Sequence, residues 1–128
     1  MQYPTNFKYT KDHEWALIEG NKVTVGITDH AQSSLGDMVF LDLPKVGREL
    51  KAHETFGVVE SVKAVSDLFS PVGGKVLEVN SPLIQEPAVL NQDPHGKGWL
   101  IKLELTDKNS VSALMDSAAY TKLVESLH

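Results

Sequence analysis

Along the chain, apolar and polar positions alternate in short runs broken by glycine, proline and asparagine, the pattern of a small β-rich domain. Glu14 to Glu19 and Lys22 to Ile27 read as strands joined by Gly20-Asn21, a two-residue hairpin signal. Thr28 to Gly36 predicts a short helix. Thr28 supplies an N-cap oxygen, Asp29 suits the positive helix start, and Gly36 closes the helix in the left-handed conformation. Met38 to Leu43 is another strand, ended by Pro44 and a turn through Gly47. Thr55 to Ser61 and Ser66 to Ser70 are β-prone, with Val62-Lys63-Ala64-Val65 between them as the tip of a hairpin. Pro71-Val72-Gly73-Gly74 predicts the next corner, ahead of the alternating run Lys75 to Val79. Pro82, Pro87 and the stretch Asn91 to Gly98 predict loop, and Trp99 to Leu105 returns to strand. Ser117 is the expected cap of a C-terminal helix whose Tyr120, Leu123, Val124 and Leu127 share one face.

With 128 residues, 41% hydrophobic and 23% charged, the chain fits one globular domain with a modest core. The formal net charge of -5 argues against a nucleic-acid binder or an anionic membrane surface, and points to protein partners or cationic small molecules. The absence of cysteine removes disulfides, thiolate metal sites and cysteine nucleophiles, so any thiol chemistry needs sulfur supplied by a bound group. No run approaches the roughly 18–20 apolar residues of a membrane helix. Met1 to Lys8 carries neither a hydrophobic signal core nor an Arg-rich transit pattern. The expected location is the bacterial cytoplasm, or the mitochondrial matrix for a mature eukaryotic form.

Self-contained catalysis has little support. His13, His30, His53, His95 and His128 lack metal-ligand spacing and read as surface or cap residues. There is no G-x-S-x-G elbow, and Gly73-Gly74-Lys75 and Gly96-Lys97-Gly98 lack the phosphate-loop frame. Lys63 is different. A lysine in a turn is commonplace by itself, but this one has small or apolar neighbours, Val62, Ala64 and Val65, and no adjacent carboxylate. A stiff turn of this kind lets a modifying enzyme grip the backbone and acylate the amine.

Several blocks carry a resemblance: Lys11 to Trp15, Gly26 to Gln32, Leu35 to Phe40, Phe56 to Ala64, Ser70-Pro71, Asn91-x-Asp93-Pro94 and Gly98 to Ile101. In this order, from about residue 7 to Tyr120, they resemble the H protein of the glycine cleavage system. The chain departs from that pattern at Gly73-Gly74-Lys75, where Ser-Gly-Glu is commoner, and at His95, where tyrosine is frequent.

The resemblance implies a mainly β barrel-sandwich hybrid, similar to lipoyl and biotinyl domains, with short helices in the N-terminal part and at the C-terminus. It implies a single domain over 1–128, with a lipoyl-binding core at 22–104 and a C-terminal helical segment at 107–128. Lys63 would carry lipoic acid in amide linkage, taking the net charge from -5 to -6. Such carriers are not enzymes. They take the aminomethyl group of glycine from a pyridoxal-phosphate glycine decarboxylase and pass it to an aminomethyltransferase that uses tetrahydrofolate. A flavin-dependent (FAD) dihydrolipoyl dehydrogenase then reoxidises them. A lipoate-attaching enzyme is the fourth partner, and the carrier is expected to be a monomer.

Because a loaded arm bears a cationic amine and is open to hydrolysis, a carboxylate beside a water-excluding groove would be favourable. Glu14 and Asp67 are the candidates; the plain alternatives are a strand-edge surface charge and a turn residue. Glu60, three residues before Lys63, is the candidate contact for the attaching enzyme, against a solvated strand-end carboxylate. Gly57, Pro71 and Gly74 read as backbone geometry, and Trp15 and Trp99 as core or rim anchors. Within carriers the rivals are a biotinyl domain, whose lysine is usually flanked by methionines, and the shorter lipoyl domain of a 2-oxo-acid dehydrogenase. An H-like lipoyl donor in a relay to other enzymes keeps the fold and changes the role.

Overall fold

The computed structural model describes residues 3–127. In chain order the elements are β1 (Lys8–Tyr9), β2 (Glu14–Glu19), β3 (Lys22–Ile27), α1 (Asp29–Leu35), β4 (Met38–Asp42), β5 (Glu49–Leu50), β6 (Thr55–Ser61) and β7 (Val65–Phe69). They continue with β8 (Gly73–Val79), α2 (Pro82–Gln85), α3 (Val89–Gln92), β9 (Ile101–Asp107), a 3-10 turn at Lys108–Ala113 and α4 (Ser117–Ser126). The strands form two antiparallel sheets, β1-β2-β3-β9-β8-β5 and β4-β6-β7. Hydrogen bonding does not close them into one barrel; they face each other as a sandwich.

Alternation along the strands builds the layer between the sheets. Val23, Val25, Val76, Ile101 and Leu103 of the larger sheet meet Leu41, Val59 and Leu68 of the smaller one. A second cluster, Phe7, Tyr9, Trp15, Tyr120 and Val124, lies under α4. There Phe7 stacks on Trp15 (centroids 4.3 Å apart) and Tyr9 on Tyr120 (4.7 Å). The Tyr120 hydroxyl pairs with Thr28 Oγ1 at 2.6 Å and His13 Nδ1 at 2.8 Å, fixing α4 to the end of the β2–β3 hairpin.

Several boundaries differ from the sequence reading. Asp116, rather than Ser117, caps α4, its carboxylate accepting from the Ala119 N–H at 2.8 Å; a carboxylate suits the positive end of the helix. Leu127 lies at the C-cap, past the buried stripe, and is 53% exposed. Gly36 takes φ 88 and ψ -162, which is positive but extended, because the chain turns at once into β4. The expected loop between Asn80 and Gly98 contains α2 and α3, anchored by buried Leu83 and Leu90. Pro82 opens the first of these helices, where its missing N–H costs nothing. Gly73 and Gly74 are not a corner but the start of β8. A Cβ on Gly74 would lie 2.7 Å from the Glu104 carbonyl, so bare backbone is needed there. The last strand starts at Ile101 rather than Trp99. Trp99 is half-buried at the rim with the Lys102 ammonium 4.9 Å from its ring centroid, whereas Trp15 is in the core. No helix among the described residues is long and apolar enough to cross a membrane.

Candidate functional site

The tip Val62-Lys63-Ala64 joins β6 to β7, and Val62 through Val65 are all exposed. The turn is held from both sides. Ser61 Oγ accepts from the Lys63 and Ala64 N–H groups (3.3 and 3.1 Å), and Ser61 N–H donates to the Ala64 carbonyl at 2.8 Å. On the opposite side Val62 N–H donates to the Asp37 carbonyl at 3.0 Å. The lysine stem runs beside Gly36, where a Cβ would lie 3.5 Å from Lys63 Cε. Lys63 takes part in none of the ion pairs among the described residues. A fixed backbone thus carries an amine that is open to solvent and to an enzyme. Sequence reasoning missed Ser61 as the internal brace; its place two residues before the lysine, where side-chain-to-backbone turns form, was the available signal.

The register places two cross-strand rows on the outer face of the smaller sheet. Phe40, Glu60 and Val65 form the row next to the tip, and Asp42, Val58 and Asp67 the row behind it. Glu60 is half-buried between two apolar neighbours, and Asp67 is exposed within β7 rather than in a turn. Strand pairing this close is possible because Gly57 has no side chain: a Cβ there would run into the Asp42 carbonyl.

Glu14 is not a surface charge, being 2% exposed. Its Oε1 accepts from the Thr10 hydroxyl at 2.7 Å, and its Oε2 accepts from the Phe69 N–H at 3.4 Å, on the free edge of β7. Burial drives its pKa from 4.5 up to about 8; the two hydrogen bonds pull the other way and nearby Asp12 adds a small upward push. At neutral pH this carboxyl is therefore mostly protonated. The structure brings Glu14 and Asp67 to the same edge strand, while Lys63 stands at that strand's other end.

The histidines are more engaged than surface residues. Half-buried His13 has φ 71 and faces His30 at a centroid distance of 4.6 Å; burial, first, and then His30 lower its pKa. His95 Nε2 accepts from the Asp29 N–H at 3.0 Å, at the start of α1. His53 is exposed, and His128 lies outside the described residues. Among the described residues no group of three or more His, Cys, Asp or Glu could hold a metal. A cavity of about 340 Å³ between Tyr9, Lys11, His53, Pro71 and Met115 lies at the far end of the β6–β7 hairpin from Lys63.

Known proteins resemble the chain along almost its whole length. The family model described as glycine cleavage H-protein matches residues 7–127. The glycine cleavage system H protein of Anaeromyxobacter sp. (strain K) is 52% identical over 125 residues, covering 98% of either chain. That of Symbiobacterium thermophilum is 57% identical over 117 residues, 91% of either chain. Among solved structures, the crystal structure of a glycine cleavage system H protein from Mycobacterium marinum superposes with a TM-score of 0.87 at 41% identity, covering 94% of this chain and 97% of that one.

Proposed function

Since the chain belongs to the glycine cleavage H-protein family, we propose that it is a lipoyl-bearing carrier that shuttles the aminomethyl group of glycine. It would receive the group from a glycine decarboxylase, deliver it to an aminomethyltransferase and be restored by a dihydrolipoyl dehydrogenase. It acts as a cosubstrate and not as an enzyme. The observation that carries the reading is Lys63, an amine in none of the ion pairs among the described residues, on a doubly braced, solvent-exposed turn. The site fits lipoate in amide linkage. The stem runs beside Gly36, and the exposed Val62 and Val65 give an acyl chain apolar neighbours. Lipoate would supply the redox-active disulfide that a chain without cysteine lacks.

The remaining residues take roles around that anchor. Ser61 and the Asp37 carbonyl fix the direction in which Lys63 leaves the surface. Glu60, between Phe40 and Val65, offers a negative charge to the lipoate-attaching enzyme. Glu14 and Asp67 flank the free edge of β7, along which a loaded arm would rest. A cationic amine arriving beside Glu14 favours its ionised form, which couples docking to loss of a proton. The segment 22–104 would serve as the lipoyl-bearing core, and within the C-terminal segment Tyr120 of α4 braces the β2–β3 end.

Intact-mass measurement of the protein from its native host tests the reading. A single lipoyl adduct that Lys63→Arg abolishes supports it, while a biotin-sized adduct or none overturns it. Loading from glycine in the presence of the decarboxylase separates a glycine-cleavage carrier from a lipoyl donor in a relay, which would stay unloaded.

A further inference from the structure

Asn91 lies on α3, remote in sequence from Lys63, yet two of its side-chain hydrogen bonds go to the backbone beneath the lysine turn. Its Oδ1 accepts from the Met38 N–H at 2.9 Å. Its Nδ2 donates to the Gly36 carbonyl at 2.9 Å and to Gln32 Oε1 at 3.0 Å. These contacts clamp both sides of Asp37, whose carbonyl accepts the Val62 N–H at 3.0 Å. They also fix Gly36, beside which the Lys63 stem runs. The clamp is anchored in the interior, because the preceding residue, Leu90, is fully buried in the main core.

We propose that Asn91 is a positioning residue for the modification of Lys63. It holds the Gly36–Met38 segment so that the turn presents one backbone shape to the lipoate-attaching enzyme. This rests on Lys63 being the attachment point. In the modification the neutral ε-amine attacks the carbonyl of lipoyl adenylate, an amide bond forms, AMP leaves and the amine gives up a proton. Asn91 touches none of these atoms. It acts through Asp37 and Val62, so its loss should weaken recognition of the turn more than the chemical step.

The test compares the full chain with Asn91→Ala and Asn91→Asp, the latter keeping an acceptor for Met38 N–H but losing both donors. Purified unmodified protein is treated with a lipoate–protein ligase, lipoate and ATP, and amide exchange is followed by NMR. Losing the clamp should raise the KM for the carrier about tenfold, with kcat within about twofold, and speed Val62 exchange by a similar factor. Exchange at Val23 and Leu103, in the core, should keep its rank as the slowest, and acylation of Lys63 by a small activated ester should proceed at the wild-type rate. Unchanged KM and Val62 exchange in both variants overturn the inference, as does a fall in ligase turnover matched by an equal loss of protection throughout the core. A wild-type chain left unmodified at Lys63 by the ligase overturns the carrier reading itself. Modified wild type alongside unaffected variants overturns the Asn91 role alone.

Discussion

Replacing Glu14 with glutamine should make the protein more stable, and increasingly so as pH rises. The folded chain holds a proton on Glu14 up to about pH 8, whereas the unfolded chain releases it near 4.5. Between these values the folded state binds more protons, so the stability contributed by the neutral acid is fully present below about 4.5 and is lost progressively up to about 8. At about 1.4 kcal/mol per pH unit the interval corresponds to about 5 kcal/mol. Water entering beside the ionised carboxylate reduces what is observed, so a difference of at least about 2 kcal/mol between pH 5 and pH 9 is expected. Glutamine reproduces the neutral acid. Its oxygen can accept from the Phe69 N–H as Glu14 Oε2 does, while at Thr10 the hydrogen bond reverses, the amide donating to the hydroxyl that donates to Glu14 Oε1. His13 and His95 work in the opposite direction: burial lowers their pKa values, so they favour the folded state more as pH rises through about 6.5. The wild-type profile alone is therefore ambiguous, and the difference between wild type and Glu14→Gln isolates the carboxyl. Urea unfolding of both proteins at intervals from pH 5 to 9 measures it. Parallel stability curves would refute the claim that Glu14 is a buried acid kept neutral.

Other consequences are equally open to measurement. Tyr120→Phe removes the hydroxyl that pairs with Thr28 and His13 and leaves both partners short of a contact, so unfolding free energy should drop by about 1–2 kcal/mol. The loss should appear in urea titration without a change in Lys63 modification. Gly57→Ala pushes a methyl group into the Asp42 carbonyl and should cost about 2–3 kcal/mol or more, with the β4–β6 amides losing most exchange protection. Alanine at both Glu14 and Asp67 should speed hydrolysis of the aminomethyl-loaded arm, followed as formaldehyde release; an unchanged rate would remove these carboxylates from the groove.

What could be read from the sequence was what local chemistry determines. Lys63 stood out because its neighbours are small or apolar and strand-forming residues flank it on both sides, and the structure places it on a hairpin turn. The β2–β3 hairpin and α1 were equally legible, since Gly20-Asn21 and Thr28 act on residues within a few positions of themselves. The misjudged features depend on distant partners. Glu14 opens a strand whose near neighbours do not reveal burial. It becomes a buried acid because the edge of β7, 55 residues on, closes over it. Gly73 and Gly74 look like a corner until β9 arrives alongside and requires their bare backbone. Asn91 sits in what reads as a proline-flanked loop, and its importance emerges when α3 packs beneath the segment after α1, 53 residues away from Met38. The proposed attachment point is thus encoded locally, while the hydrogen bonds that brace it come from three separate stretches of chain: Ser61 within the turn, Asp37 behind it and Asn91 behind that. A carrier whose arm must visit several enzymes gains from that division. The lysine can be exposed because hydrogen bonds from three segments hold the backbone beneath it.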